Sequence, residues 1–303
     1  MEENKELDYN RMREELDRLC KKYSIFSYDF IGESTLKRPI PIITLGDKNA
    51  EKSVLYVSTH HATENVCTSV MISFIKEYLD AYESYRQLFS INLRFLFKMR
   101  KIYIIPMLNP DGVEYRLNGI NDDNPIKKRI IAYNEGSEDF SLWNANARGI
   151  DLNHNYNAGF EKYKLLEREM GIMPGRTRYS GEFYESENET SALCNFIRFH
   201  TDELKGVISF HSQGEEIYYT YNEKIPDKSK HLIGIMERMT GYKRSVPEKA
   251  ASYGGLTDWL INEYNLPSFT LECGIGKNPL PIEKAFSIYS KLRELLFTFP
   301  IFF

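Results

Sequence analysis

The sequence has no hydrophobic run approaching the roughly 20 apolar residues that a membrane helix needs. Its first 15 residues are densely charged and lack the apolar stretch of an export leader. Neither membrane insertion nor export is expected, and a cytoplasmic location is. Cysteine is scarce: Cys20, Cys67, Cys194 and Cys273 lie far apart and form no CxxC. That spacing speaks against a disulfide framework and a thiolate metal site, and the four read as free thiols. Positive charge is not in surplus either, since 39 Lys and Arg against 43 Asp and Glu leave a net charge of -4. Such a chain has no field to gather phosphates, so nucleic acid and a membrane surface are excluded as expected partners. Internal repeats and low-complexity segments are absent as well. What is present is 303 residues, 42% hydrophobic and 14% aromatic. That is ample material for the core of a globular chain, read as one domain over 1–303.

Apolar periodicity supplies the architecture. Tyr9, Met12, Leu16, Leu19, Cys20 and Tyr23 recur at helical steps and predict a helix over about 5–23. Residues 53–60 (SVLYVSTH) read as a buried strand, and paired apolar positions from Val66 to Leu79 read as a helix capped by Asn65. The same grammar recurs in 102–107 before Asn109-Pro110-Asp111-Gly112, in 207–210 before His211, and in 269–271 before Glu272. Helical patterns at 189–200, 229–240 and 283–297 separate these strands. The pattern predicts an α/β fold, with a mixed, mostly parallel sheet and helices on both faces. From Arg116 through Asn157 to Glu187 the chain is polar and weakly periodic, which predicts long loops that carry function.

Open α/β sheets bind ligands beyond the carboxyl ends of their strands. The reactive residues at those ends are His61 and Glu64, then His211, then Glu272. Two histidines and a carboxylate are the ligand set of a catalytic zinc site with a fourth position open to water. His-x-x-Glu occurs twice, but His200 and Glu203 lie at the end of a helical pattern, where a histidine has an ordinary role beside the last carbonyls. His60 neighbours His61, yet only His61 has a glutamate three residues on. His211 taken alone reads more readily as a hydrogen-bonded core histidine than as a ligand. Glu272 ends the strand SFTLE, where an unpaired carboxylate would be costly to bury unless a metal-activated water lay beside it. Serine hydrolysis has little support: there is no GxSxG, and Ser212 beside His211 lacks the strained elbow.

Taken in order, His61-x-x-Glu64, Asn109-Pro110-Asp111-Gly112, Gly149-Ile150-Asp151-Leu152-Asn153, Tyr179-Ser180-Gly181 with Ser186-Glu187, Ser209-Phe210-His211, and Gly254-Gly255 with Asp258-Trp259 before Phe269-Thr270-Leu271-Glu272 resemble the M14-type zinc carboxypeptidases. The resemblance implies that family's fold and one zinc ion held by His61, Glu64 and His211. It implies Glu272 as the catalytic glutamate, which takes a proton from water and passes it to the leaving amine. Arg148 would hydrogen-bond the developing oxyanion, although a loop salt bridge explains it equally. Where digestive-type members carry Asn-Arg for a terminal carboxylate, this chain has Asn153-His154, a titratable group in place of a permanent cation. Their tyrosine before the double glycine falls at about Ala250, with Tyr253 adjacent but displaced. The segment 273–281 (CGIGKNPLP), with Tyr253-Gly254-Gly255 and Asp258-Trp259, resembles the bacterial branch that cleaves γ-D-glutamyl bonds to a diamino acid in peptidoglycan peptides. That implies a peptidoglycan-derived substrate rich in carboxylates, received by Arg148, Arg176, Arg178, Asn153 and His154. Arg176 and Arg178 read more readily as solvated loop charges. The alternatives are a carboxypeptidase of broader specificity, a deacylase of N-acyl amino acids, and a peptide-binding module without turnover.

Overall fold

The computed structural model describes residues 5–247 and 251–303; the position at Ala250 lies outside them. Helix α1 (Tyr9–Lys22) is followed by strands β1 (Tyr28–Glu33), β2 (Pro39–Leu45) and β3 (Ser53–Ser58) and by helix α2 (Val66–Glu83). A small separate ribbon, β4 (Gln87–Leu88) with β5 (Ile91–Asn92), leads through α3 (Leu93–Met99) to β6 (Lys101–Ile105). Then come α4 (Pro110–Asn118), α5 (Lys127–Tyr133), α6 (Phe160–Met170), α7 (Asn188–His200), β7 (Leu204–His211) and β8 (Glu216–Tyr218). The chain ends with α8 (Asp227–Thr240), β9 (Lys243–Arg244), α9 (Leu256–Tyr264), β10 (Ser268–Glu272) and α10 (Lys284–Thr298).

Among the described residues the main sheet has eight strands in the order β1-β2-β6-β3-β7-β10-β8-β9. Its centre, β6-β3-β7-β10, is parallel, while β1-β2, β2-β6 and β10-β8 are antiparallel. The parallel centre explains why these strands read as unbroken apolar runs: both faces are covered. Val54 and Tyr56 of β3 enter one core with α1, α2, α8 and α10, whereas Leu55 and Val57 enter a second with α7 and α9. The predicted α/β architecture with helices on both faces is therefore the observed one. Among the described residues no helix is long and apolar enough to cross a membrane.

Two local expectations change. Asn65 stands at the start of α2, but its side chain makes no cap and instead donates from Nδ2 to the Leu7 carbonyl at 2.8 Å, tying the N-terminal segment down. The stretch from 116 to 187 is not all loop. It contains α5 and α6, and its Ile130, Phe140, Trp143, Ala145 and Ala147 form a small core against Tyr115 of α4. Helix α6 buries only Phe160, Tyr163, Leu166 and Glu167, a stripe too narrow to stand out in so polar a segment.

The connection from β3 goes to β6 on one side, and that from β7 goes to β10 on the other. This reversal opens a crevice beyond the carboxyl ends of β3 and β7, where open α/β sheets place ligands.

Candidate metal centre and active-site cleft

Strand β3 ends two residues before His60, and a single 3-10 turn over Ala62–Glu64 brings Glu64 back toward His61. Glu64 bridges two imidazoles, with Oε1 at 3.0 Å from His61 Nδ1 and Oε2 at 2.9 Å from His211 Nδ1. His61, Glu64 and His211 each offer one donor atom, all within 4.8 Å of one another. The far nitrogens are held as well: His61 Nε2 lies 2.8 Å from Asp151 Oδ1, and His211 Nε2 lies 3.0 Å from Ser209 Oγ. Metal-binding imidazoles are oriented in this way, by a partner on the nitrogen that faces away from the ion. With mixed nitrogen and oxygen donors, the triad fits one zinc ion.

The adjacent histidines part company. His60 is fully buried, 2.9 Å from the Tyr156 hydroxyl and stacked on His211, so its ring supports the site from behind. Burial, then the neighbouring His211 and His61, hold its pKa well below the ordinary range. For His61 burial pulls the same way, but Glu64 and Asp151 outweigh it and raise the pKa. Glu64 is opposed by burial too, yet the two histidines bring it down to about 2. The second His-x-x-Glu is structural: Glu203 accepts from Tyr103 at 2.6 Å, pairs with Lys101 and lies 2.6 Å from His200 Nδ1.

Glu272 ends β10 in register with His211 at the end of β7, which sets it beside the triad. Among the described residues its side chain has no hydrogen-bond partner, and burial, then the charge of Glu64, raises its pKa well above the usual carboxylate range. A cavity of about 660 Å³ opens over it, lined among others by Glu64, Glu272, Arg178, Glu216, Lys277 and Asn278. The segment after Glu272 is fastened to the β7 end: Asn278 Oδ1 accepts from Ser212 Oγ at 2.9 Å, and its Nδ2 donates to the Ser212 carbonyl.

Of the remaining predicted residues, the lining of this cleft includes Arg178 but not Arg148, Arg176, Asn153, His154 or Tyr253. Arg178 lines it and makes no ion pair among the described residues, whereas Arg148 is exposed and pairs with the buried Glu187 at 3.4 Å. Arg176 faces Glu135 at 3.9 Å. Asn153 Oδ1 accepts the Leu256 amide at 3.2 Å, which holds the double glycine against it. His154 is buried, stacked on Tyr163 at 3.9 Å, and its Nδ1 lies 2.8 Å from the Tyr253 carbonyl. Burial, partly offset by Asp151, lowers the His154 pKa. Gly254 must be glycine: its φ is +74, and a Cβ there would lie 2.5 Å from the His154 carbonyl oxygen. Tyr253 packs edge-on to Tyr221 with ring centres 6.3 Å apart. Asp151 and Ser209 stood inside sequence motifs without a role; only the fold shows which rings they hold.

The zinc carboxypeptidase family M14 matches the chain over residues 12–291. A γ-D-glutamyl-L-diamino acid endopeptidase of Lysinibacillus sphaericus is 32% identical over 284 residues, covering 94% of this chain and 69% of that protein. Among solved structures, a carboxypeptidase A from Helicoverpa armigera aligns with a TM-score of 0.70 at 18% identity over 97% of this chain and 73% of its own. The murein-tripeptide amidase MpaA of Escherichia coli O157 aligns with a TM-score of 0.54 at 19% identity, over 89% and 91% respectively. At those identities the structural likeness is one of fold. A match over nearly the full length, by a family of zinc-dependent peptidases, agrees with a triad able to hold one metal ion, and the chain belongs to the M14 zinc carboxypeptidases.

Proposed function

We propose that this metallopeptidase hydrolyses the bond between a γ-D-glutamyl residue and a diamino acid, such as diaminopimelate, in peptidoglycan-derived peptides. His61, Glu64 and His211 hold the zinc ion, which when bound polarises the scissile carbonyl and acidifies water. Glu272 takes a proton from the attacking water and hands it to the leaving nitrogen. Arg148 and Arg178 are the candidate cations for the carbonyl oxygen as it gains charge. Arg148 is held by Glu187, while Arg178 lines the cleft; single alanine variants separate them, because the larger fall in kcat marks the oxyanion partner.

The observation that carries this reading is the cleft itself. It places Arg178 and Lys277, neither of them ion-paired among the described residues, beside Glu64 and Glu272. A substrate with several free carboxylates suits such cations. Support also comes from the relative from Lysinibacillus sphaericus, whose name states the γ-D-glutamyl bond. His154 argues against plain C-terminal trimming, because a buried imidazole with a lowered pKa is neutral near pH 7 and grips a terminal carboxylate poorly.

The test is incubation of the zinc-loaded enzyme with L-Ala-γ-D-Glu-meso-diaminopimelate, with its α-linked isomer and with an ordinary peptide, with products identified by mass spectrometry. Release of diaminopimelate from the γ-linked peptide alone is expected. Cleavage of the ordinary peptide at an equal or higher rate would overturn the substrate assignment.

A further inference from the structure

Glu216 shares the cleft and has no part in the chemistry above. In the antiparallel pairing of β8 with β10 it stands directly opposite Glu272. Directly paired residues present their side chains on one face of a sheet, and two like charges so placed repel unless a cation joins them. The described residues supply none. Lys243, the register partner of Glu216 on β9, forms no ion pair with it. Among the described residues the one side-chain partner of Glu216 is the Tyr218 hydroxyl, which donates to Oε2 at 2.9 Å from the same cavity wall. That contact aims the carboxylate without neutralising it. The cleft also holds Arg178 and Lys277, which have no ion pair among the described residues, and Glu272, whose carboxylate has no hydrogen-bond donor among them. A cavity of about 660 Å³ thus presents acid and base together next to the reacting centre. A ligand that satisfies both carries an ammonium group as well as carboxylates.

We propose that Glu216, aimed by Tyr218, receives an ammonium group of the substrate and so selects a residue whose side chain bears a free amine. This rests on the reading above, in which the released residue is a diamino acid, and deepens it by naming the group that recognises the second amine. A hydrogen-bonded charge pair of this kind is worth about 10- to 100-fold in binding.

Two substrate pairs provide the test. The first is the γ-D-glutamyl peptide of diaminopimelate against that of 2-aminopimelate, which keeps the carbon chain and carboxylates and lacks one amine. The second is an ordinary peptide ending in lysine against one ending in norleucine. In whichever pair is hydrolysed, the wild-type enzyme is expected to favour the amine-bearing member by about 10- to 100-fold in kcat/KM, chiefly through KM. Glu216→Gln, which keeps shape and loses charge, is expected to bring the two members within about 3-fold of each other. A wild-type enzyme indifferent to the amine would overturn the assignment, and this comparison needs no variant, so it decides even if Glu216→Gln fails to fold. Preference that survives in Glu216→Gln would overturn it too. Hydrolysis confined to ordinary peptides, with a lysine preference lost in Glu216→Gln, would support Glu216 and refute the γ-D-glutamyl reading. Hydrolysis of the γ-linked pair without amine preference would do the reverse.

Discussion

His60 and His61 are neighbours in sequence with separate fates, and the difference lies in what each ring meets. His60 meets Tyr156 and a wall of core, while His61 has a carboxylate on each nitrogen. Asp151 orients the ring and makes its ligand nitrogen more basic, so Asp151→Asn is expected to weaken zinc binding about 10- to 100-fold in chelator competition. An unchanged affinity would remove Asp151 from the site. Glu272→Gln is expected to lower kcat by about 10²- to 10⁴-fold while the protein still binds one equivalent of metal. A loss of metal instead would make Glu272 a ligand. At this scale much was legible: His61, Glu64, His211 and Glu272 follow strand ends, and strand ends can be read from apolar runs. Asp151, Ser209 and Glu216 were not, because their roles depend on residues that lie far away in sequence and meet only in the fold.

Elements were legible where apolar residues form wide stripes or unbroken runs, as in α2, β3 and α10, and elusive where a polar signature hides a helix. Asn109-Pro110-Asp111-Gly112 reads as a turn, yet it opens α4 with proline at its start. Asn109 is why: its Oδ1 accepts the Gly112 amide at 3.0 Å while Nδ2 donates to the carbonyls of His60 at 2.9 Å and Ala145 at 3.1 Å. One side chain therefore caps the helix and pins it to the His60 end of the metal loop. Asn109→Ala loses the cap and leaves buried carbonyls unpaired, at a cost of about 2–4 kcal/mol in urea unfolding. Asn109→Asp retains the cap but turns an acceptor oxygen toward those buried carbonyls, and is expected to recover none of that loss. Strand β1 sits at the sheet's antiparallel edge, where half-buried and exposed residues give no continuous apolar run.

For the molecule as a whole, the parallel sheet and its two helical layers followed from apolar patterning alone, whereas the reversal between β3 and β7 that opens the crevice is a matter of strand order, which patterning does not record. Buried acids also couple the fold to pH. Glu189 in the first turn of α7 is wholly buried; burial above all, then the charge of Asp111, raises its carboxyl from 4.5 to about 8, against the pull of the Thr35 amide. The folded chain keeps that proton up to about pH 8, while the unfolded chain gives it up near 4.5. Over that window the unfolded state binds fewer protons, so this group makes stability fall as pH rises. Glu189→Gln is expected to flatten the decline in urea midpoint across the window, and an unchanged slope would assign the decline elsewhere. The account stands on a single metal held by His61, Glu64 and His211 driving peptide hydrolysis. Its most direct test is to strip the protein of metal, titrate it with zinc and follow hydrolysis of the γ-linked tripeptide. Activity should rise linearly and break at one zinc per chain, with no such rise in His61→Ala. Full activity in the metal-free protein, or the same titration in His61→Ala, would contradict it.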